Sequence, residues 1–461
     1  MKSTAPIAGF LLALMIASCA QKPSDEPELR NSALPVHVTT ALTFETDSLL
    51  TVTYTTNDPV KKLEFARVPD NQRLSRWSPA QDEFEISHAN GIDYIQHVNA
   101  KPFTKASFTV PMTYTVLPKD YAPFMPYSDG GVLLHSGRFQ VCPETCEPEN
   151  SNIKYPMQVA AKGYGHIILN GYVLTDEVAW TDKRDGTMVY IGTAKLIKTD
   201  HVIAIIDPAI PDDIQVMLNG LFPNIMDYFA EHLGFLQSKP MLFAALDRYT
   251  KPDGNPNSNS FSSQGGTLPG QVFMHLEGDG WLEPLEVRGE YTGENLVWFF
   301  AHEAGHLFQR AANYDSNQED AWIHEGGAEV FAAIAMQDLA LLPESSIQKR
   351  KLEAIEACLD GLKQGDLRTA GARQNFNLYY SCGMIIQLAV HNAVQSEGEE
   401  KGIYLIWEAF LEALKQGKTW NELTFMSIIT EETNPDTVKF VNSIVSGEPT
   451  LTQETMLEAI Q

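Results

Sequence analysis

The spacing of the apolar residues changes once along this chain, at Asp207-Pro208. Before that point apolar and polar residues alternate, as in residues 36–44 and 50–55, which is the pattern of half-buried strands. After it, apolar residues recur at helical spacing, as between residues 352 and 362. A chain of 461 residues also exceeds one ordinary hydrophobic core. We therefore predict a multidomain α+β protein.

Three domains are predicted beyond residue 34. Many short strands broken by Pro, Gly and Asp predict a β-sandwich over residues 35–205. Residues 206–345 combine helices with short apolar strands and form a second predicted domain, and residues 346–461 form a helical one.

Local turn and cap residues predict where some of these elements begin. Asn90-Gly91 supplies the positive φ angles of a tight hairpin turn. Ser345 with Gln348, and Thr419 with Glu422, have the spacing of capping boxes and therefore predict two helix starts.

The formal net charge of −26 restricts the partners of the protein. Nucleic-acid phosphates are recognised through clustered Lys and Arg side chains, and here 33 of these face 59 Asp and Glu. We predict no nucleic-acid partner, and an acidic surface that mainly favours solubility.

The first 34 residues resemble a bacterial lipoprotein signal followed by a tether. Met1-Lys2 is positive, and residues 7–17 are an apolar run of signal-peptide length, too short to span a bilayer. The run ends in Ile16-Ala17-Ser18-Cys19, which resembles a lipobox, whose cysteine is lipidated and begins the mature chain. We predict a signal peptide at residues 1–18, then a lipid-anchored Cys19 and a flexible tether at residues 19–34. The alternative is a plain secretory signal.

The residue after Cys19 implies a location. It is Ala20 rather than Asp, which in lipoprotein sorting signals favours the outer membrane. The expected protein is anchored by lipid in a bacterial cell envelope, facing the periplasm or the exterior. No other segment approaches the roughly 20 apolar residues of a transmembrane helix.

The four other cysteines form two candidate disulfide pairs. Cys142 and Cys146 lie in a short loop that can close on itself, and Cys358 and Cys382 lie on two predicted helices. An even number of cysteines in an oxidising compartment favours disulfides, although the sequence does not prove the pairing. A zinc ribbon would need a second close pair of cysteines, which the sequence lacks.

His302, Glu303 and His306 have the spacing of a metal site on a helix. Residues four apart lie on one helix face, so the two imidazoles point into the same space, about 6 Å apart, and suit one small cation such as zinc. Glu303 lies one step round the helix, where it reaches a water on the ion rather than the ion. A carboxylate there can take the proton of a water that the ion activates.

An amphipathic helix whose polar residues simply face water is the alternative interpretation of this pentapeptide. The flanking residues oppose it, because Leu296, Phe300 and Leu307 help to make the helix apolar nearly all round and therefore buried. Two histidines and a glutamate in a buried helix are unfavourable unless something coordinates or pairs them.

The downstream sequence carries a family resemblance. His302-Glu-x-x-His306, then eighteen residues, then Glu325-Gly-x-Ala-Glu329, resembles the gluzincin metallopeptidases, the thermolysin-like group. It is most similar to the branch that holds aminopeptidase N and the glycyl aminopeptidases. The resemblance implies His302, His306 and Glu325 as ligands of one zinc ion per chain, and Glu303 as general base.

Two neighbours of Glu325 have further expected roles. Glu329 follows at i+4 on the same helix, so it faces the same site and is expected to brace a ligand imidazole. His324 is the alternative third ligand, although it would break the family spacing by one residue.

A tyrosine downstream completes the resemblance. The family uses a tyrosine that donates a hydrogen bond to the oxyanion, and Tyr380-Ser-Cys-Gly383 resembles its Tyr-x-Lys-Gly, with Cys382 in place of Lys. We assign this role to Tyr380, with Tyr379 as competitor. A tyrosine packed between helices is the simpler alternative.

One strand departs from the family pattern. Aminopeptidases of this branch have Gly-x-Met-Glu-Asn on a strand before the zinc helix, and its Glu binds the free amine of the substrate. The strand after Gly270 has no acidic residue at the matching place. We expect it to pair with the substrate backbone instead.

The resemblance implies zinc-dependent hydrolysis of a peptide or protein substrate by a thermolysin-like domain at residues 206–345. The choice between endopeptidase and aminopeptidase stays open, as does the oligomeric state. The competing hypothesis is a binding lipoprotein that keeps the metal but captures a peptide or protein partner. Glu303 favours the enzyme, because a non-catalytic zinc site has no need of it.

Overall fold

The computed structural model describes residues 37–461, except residues 47, 68–71, 116, 118–119, 147–152, 201, 248–261 and 310–318. The predicted signal peptide, Cys19 and the tether lie outside the described residues. Among the helices that are described, none combines the length and the apolar character needed to cross a membrane.

Up to Gly192 the described residues form fifteen strands, one short α-helix and one turn of 3-10 helix (Ser136–Phe139). They are β1 (Val38–Thr46), β2 (Leu49–Val60), β3 (Lys62–Phe65), α1 (Gln72–Arg76), β4 (Ser78–Pro79), β5 (Phe84–Ala89), β6 (Ile92–His97), β7 (Phe103–Pro111), β8 (Phe124–Pro126), β9 (Val132–His135), β10 (Val141–Pro143), β11 (Tyr155–Ala160), β12 (His166–Leu169), β13 (Tyr172–Leu174), β14 (Glu177–Asp182) and β15 (Met188–Gly192). The strand orders are β14-β11-β1-β2-β7-β4, β10-β3-β6-β5 and β13-β12-β15-β9-β8, so this part contains three sheets.

The first two sheets pack through aromatic side chains, and the third packs against the rest of the chain. Tyr54 of β2 meets Phe65 of β3 with ring centroids 6.3 Å apart. The hairpin predicted at Asn90-Gly91 is confirmed, since β5 and β6 pair on either side of these residues, whose φ angles are 53° and 75°. Leu133 of the third sheet shares a buried cluster with Phe243, which belongs to the next sheet.

The next sheet is mixed and contains β16 (Leu196–Lys198), β17 (Ile203–Ile206), β18 (Met241–Asp247), β19 (Ser262–Leu268) and β20 (Gln271–Glu277). Its order is β16-β17-β18-β20-β19, with β17, β18 and β20 parallel and β19 antiparallel to β20. Because β20 is paired on both sides, β19 forms one edge of this sheet among the described strands, and β16 forms the other.

Ten α-helices are described after residue 207, one between strands of this sheet and the others after it, as the change of apolar spacing predicts. They are α2 (Asp212–Leu233), α3 (Leu285–Arg288), α4 (Glu290–Phe308), α5 (Ala321–Asp338), α6 (Glu344–Leu362), α7 (Asn377–Ser396), α8 (Ile403–Lys415), α9 (Glu422–Glu432), α10 (Pro435–Val445) and α11 (Gln453–Ile460). The multidomain α+β architecture is therefore confirmed. One buried cluster runs from Val202 to Ile460, so helices on both sides of residue 345 share a core. The domain boundaries themselves stay predictions.

Both predicted capping boxes are wrong. α6 begins at Glu344, two residues earlier than Ser345 as N-cap predicts, and no side chain caps it. α9 is capped by Asn421, whose side chain accepts from the Thr424 amide at 2.9 Å. Asparagine is a stronger N-cap than threonine, which accounts for the later start of α9.

The helices α5 and α7 cross with their main chains in contact. A Cβ atom on Gly326 of α5 would lie 2.3 Å from the carbonyl carbon of Gly383 of α7, closer than atoms can approach. Gln387 of α7 also donates to the carbonyl of Ile323 at 2.6 Å. The crossing therefore fixes the separation of the residues on either side of it.

We expect Gly326→Ala to destabilise the protein, because the added methyl must push α5 and α7 apart. Overpacking of this kind costs about 1–3 kcal/mol. The matched control is Gly220→Ala in α2, where the new Cβ meets nothing within 4 Å. That change should stabilise the helix by up to about 1 kcal/mol. Urea unfolding of the two variants measures both values, and equal stabilities would contradict the contact.

Candidate metal centre

Three potential ligand atoms converge between α4 and α5. The Nε2 atoms of His302 and His306, one helical turn apart on α4, lie 3.0 Å from each other. Oε2 of Glu325, from α5, lies 3.4 Å from the first nitrogen and 3.3 Å from the second. Among the residues that the structure describes, these three are the His, Cys, Asp and Glu side chains placed to share a metal ion.

The spacing and chemistry of these atoms fit zinc. Ligands bound at about 2.0–2.1 Å in tetrahedral geometry are about 3.3 Å from one another, and the three observed separations cluster around that value. Two imidazoles and one carboxylate also form a typical catalytic zinc set, which leaves the fourth position open.

Both imidazoles contact an acceptor through the nitrogen that faces away from the cluster. Nδ1 of His302 lies 3.0 Å from Oε1 of Glu329, and the other oxygen of Glu329 accepts from Trp298 Nε1 at 2.8 Å. Nδ1 of His306 lies 2.8 Å from Oε1 of Gln309. An acceptor at Nδ1 favours the tautomer whose Nε2 lone pair points into the cluster.

The sequence did not predict Trp298 or Gln309. Gln309 caps the end of α4, three residues after His306, and its amide packs over Gly327, where a Cβ would lie 2.4 Å away. Trp298 precedes His302 by four residues, on the same helix face. Positions three or four residues from the two histidines lie on the same helix face, so this spacing could have predicted both Trp298 and Gln309.

Glu303 is buried beside the cluster, with 8% of its surface exposed. The hydroxyl of Thr267, on β19, donates to its carboxylate and lies 3.2 Å from its main-chain oxygen. Among smaller contributions, the negative charge of Glu303 raises the pKa of His302 and the pKa of Tyr380. The edge strand thus holds the carboxylate next to both groups.

Of the two candidate tyrosines, Tyr380 is the one that meets the cluster. Its ring stacks on the His302 ring with centroids 5.7 Å apart and planes inclined by 24°. Burial, followed by the negative charges of Glu325 and Glu303, raises the pKa of Tyr380, so the phenol keeps its proton. Tyr379 packs instead against Phe376, at 6.3 Å between centroids.

His324 contacts Glu325 rather than replacing it. Its Nε2 lies 3.2 Å from Oε1 of Glu325, the oxygen that the other two imidazoles do not share. Burial lowers the pKa of His324. Burial would raise the pKa of the Glu325 carboxyl, but the imidazoles of His324 and His302 hold it well below its usual range.

The expectation that the strand after Gly270 pairs with a substrate is wrong. That strand is β20, and both of its edges are already paired, with β18 and β19. Among the described strands, β19 lies at the edge of the sheet beside α4; it reads Ser-Ser-Gln-Gly-Gly-Thr-Leu and also has no acidic side chain. The Tyr121 hydroxyl donates to the main-chain oxygen of its Thr267 at 3.3 Å. The departure from the aminopeptidase pattern therefore holds for either strand.

Both candidate cysteine pairs are bonded. Cys142 and Cys146 close a loop after β10, and Cys358 and Cys382 join α6 to α7. The second bond lies two residues beyond Tyr380.

No family model and no curated protein matches this chain by sequence. Solved structures do match it. An aminopeptidase N family protein from Idiomarina loihiensis has a TM-score of 0.63 at 10% identity, over 91% of this chain and 78% of that one. An M1 zinc metallopeptidase mutant from Deinococcus radiodurans, bound to a Tyr-Ser-Ala substrate, has a TM-score of 0.50 at 12% identity, over 91% and 96%. Native yeast LTA4 hydrolase has a TM-score of 0.51 at 11% identity, over 94% and 72%.

This chain therefore has the fold of the M1 zinc metallopeptidases, which are gluzincins of the aminopeptidase N branch. The resemblance stated from the motif residues is confirmed at the level of the fold. At 10–12% identity the structural similarity shows that the fold is shared, but it does not show that the activity is shared.

We expect Glu329→Gln to weaken zinc binding about 10–100-fold, the usual loss when a carboxylate behind a ligand imidazole is removed. The amide keeps the shape but loses the negative charge near Nδ1 of His302. Competition with a chromophoric chelator measures the affinity. Glu448→Gln, at an exposed glutamate outside the cluster, is the control and should bind zinc like the parent. Equal affinity of both variants would contradict the role of Glu329.

Proposed function

We propose that this chain is a zinc-dependent metallopeptidase. The observation that carries the proposal is the convergence of His302, His306 and Glu325 to within 3.0–3.4 Å, in a fold shared with zinc peptidases. These three side chains would hold the ion. When bound there, zinc supplies Lewis acidity, which makes a water molecule more acidic and a carbonyl more electrophilic.

Glu303 is proposed as the general base. Its carboxylate is buried next to the cluster and oriented by Thr267, so it can take a proton from the attacking water and pass it to the leaving amine. The position one residue after His302 keeps it from serving as a ligand itself.

Tyr380 is proposed as the oxyanion donor. Its phenol keeps its proton because its pKa is raised, and a neutral hydroxyl donates most strongly to an oxygen that gains negative charge. The stacking of its ring on His302 places it at the edge of the cluster, where the scissile carbonyl would lie.

The proposed substrate is a peptide, bound extended along β19, which is an edge strand among those described. Edge strands pair with peptide backbones through main-chain hydrogen bonds. Thr267 links that edge directly to Glu303, so a peptide paired there would pass the base. The Deinococcus radiodurans structure with a bound tripeptide supports a substrate of this class.

We expect Glu303→Gln to lower kcat/KM for peptide cleavage by about 10²–10⁴-fold while zinc stays bound, because the amide cannot accept the proton. A fluorogenic peptide library, assayed with and without chelator, measures the activity, and metal analysis gives the zinc content. Glu448→Gln is again the control and should cleave like the parent.

Full activity in the Glu303→Gln protein would refute the proposed base. A parent protein that binds zinc but cleaves no peptide would instead favour the competing role, a lipoprotein that captures peptides without hydrolysing them. The same library with blocked amino termini distinguishes an endopeptidase from an aminopeptidase, because only an endopeptidase cleaves a peptide whose amino terminus is blocked.

We also propose that the protein is attached by a lipid on Cys19 to the outer membrane of a bacterial cell envelope. The support is the sequence Ile16-Ala17-Ser18-Cys19 after a short apolar run, with Ala20 following. The structure leaves this region undescribed.

We expect Cys19→Ser to move the protein, expressed in a Gram-negative host, from the membrane fraction to the soluble fraction, because the site of acylation is lost. Fractionation and the intact mass of the amino-terminal peptide measure the change. Cys142→Ser/Cys146→Ser controls for the loss of other thiols and should stay with the membrane. A parent protein without acyl mass would refute the anchor.

A further inference from the structure

The first turn of α7 carries Tyr380 and is linked covalently to α6. Cys358 of α6 and Cys382 of α7 form the disulfide, and both are fully buried. No side chain caps the start of α7. The amides of Leu378 and Tyr379 donate instead to the carbonyls of Asn375 and Phe376, at 3.2 and 3.1 Å, so the preceding turn and the packing against neighbouring helices hold this first turn.

The disulfide and the phenol leave opposite sides of α7. Two residues advance about 200° around a helix, so Cys382 faces α6 where Tyr380 faces the metal cluster. Leu378, four residues before Cys382, lies on the same side as that cysteine. It packs so closely over Gly361 of α6 that a Cβ there would lie 1.7 Å from its Cδ1.

The other side of α7 rests on the main chain of α5. Gly383, three residues after Tyr380, meets Gly326, which directly follows Glu325. The contact with α5 prevents the turn from moving toward the cluster, and the bond to α6 prevents it from moving away. The motif that this segment resembles has a lysine at the position of Cys382, so here a covalent bond stands in place of a charged side chain.

We propose that the Cys358–Cys382 disulfide is a positioning element for Tyr380, which holds the phenol against the metal cluster. The inference rests on the proposed function, because the phenol acts on the reacting carbonyl. Cys382 and Tyr380 lie on opposite sides of α7, so the disulfide is expected to act through the placement of α7.

The test compares Cys358→Ala/Cys382→Ala with Cys142→Ala/Cys146→Ala, which removes the other disulfide. In the first variant we expect zinc affinity and KM to be kept and kcat to fall by up to about 100-fold, as for a catalytic group displaced by about 1 Å. Amide hydrogen exchange of residues 377–383 should rise in the same protein. The control should match the parent in every measurement.

The decisive comparison repeats the change in a Tyr380→Phe background. If the bond acts through the phenol, its removal there lowers kcat no further, because two changes in one pathway are not additive. An equal further loss of kcat, or unchanged exchange at residues 377–383, would overturn the proposal.

A second variant, Cys358→Val/Cys382→Ala, refills part of the buried volume without restoring the bond and should behave like the first. Unfolding of both variants would also overturn the proposal, because the bond would then serve the whole fold. A parent protein that binds zinc without cleaving peptides would refute the proposed function instead. Hydrogen exchange would still decide whether the disulfide places the turn of Tyr380.

Discussion

Two imidazole nitrogens and a carboxylate oxygen lie 3.0–3.4 Å apart at the edge of a helical core, and the packing around them follows from that constraint. Polar atoms in an apolar interior are unfavourable unless each has a partner. α4 brings both histidines to one face, and α5 must then approach closely enough for Glu325 to reach them. Gly327 on α5 makes room for this approach, because a Cβ there would meet the Gln309 amide at the end of α4, whereas Gly326 makes room for α7.

The two imidazoles are supported by different chemistry. His302 faces the carboxylate of Glu329, whereas His306 faces the neutral amide of Gln309. A charged acceptor raises the basicity of its imidazole more than a neutral one does, so His302 is expected to be the stronger electron donor. With Glu303 and Glu325 nearby, three carboxylates surround one cation site. Burial, and then the charge of these carboxylates, raises the pKa of Tyr380, so the phenol resists ionisation.

Much of the candidate site could be predicted from the sequence, because it lies on helices where spacing gives direction. His302, His306 and Glu329 are each placed by a separation of four residues. Glu325 required the family motif, since nothing local says that α5 packs against α4. Thr267 could not be found, because its contact depends on which strand lies at the sheet edge.

The error over the substrate-facing strand has the same origin. A strand is recognised in sequence by its buried side chains, and β20 is buried almost throughout. The edge strand β19 begins Ser-Ser-Gln-Gly-Gly and resembles a loop, because only its last residues are buried. The strand that lies beside Glu303 is thus the one with the weaker sequence pattern.

The contact between Gly326 and Gly383 has a consequence for how the site responds to its surroundings. A proposed zinc ligand and a proposed oxyanion donor lie on helices that touch main chain to main chain, with no rotatable side chain at the point of contact. Changes of side-chain rotamer in the core, caused by temperature or by neighbouring substitutions, are therefore expected to change the distance between the proposed ligand and the proposed donor very little. The spacing of the reacting groups is set by contact between peptide units, in a close-packed interior of low compressibility.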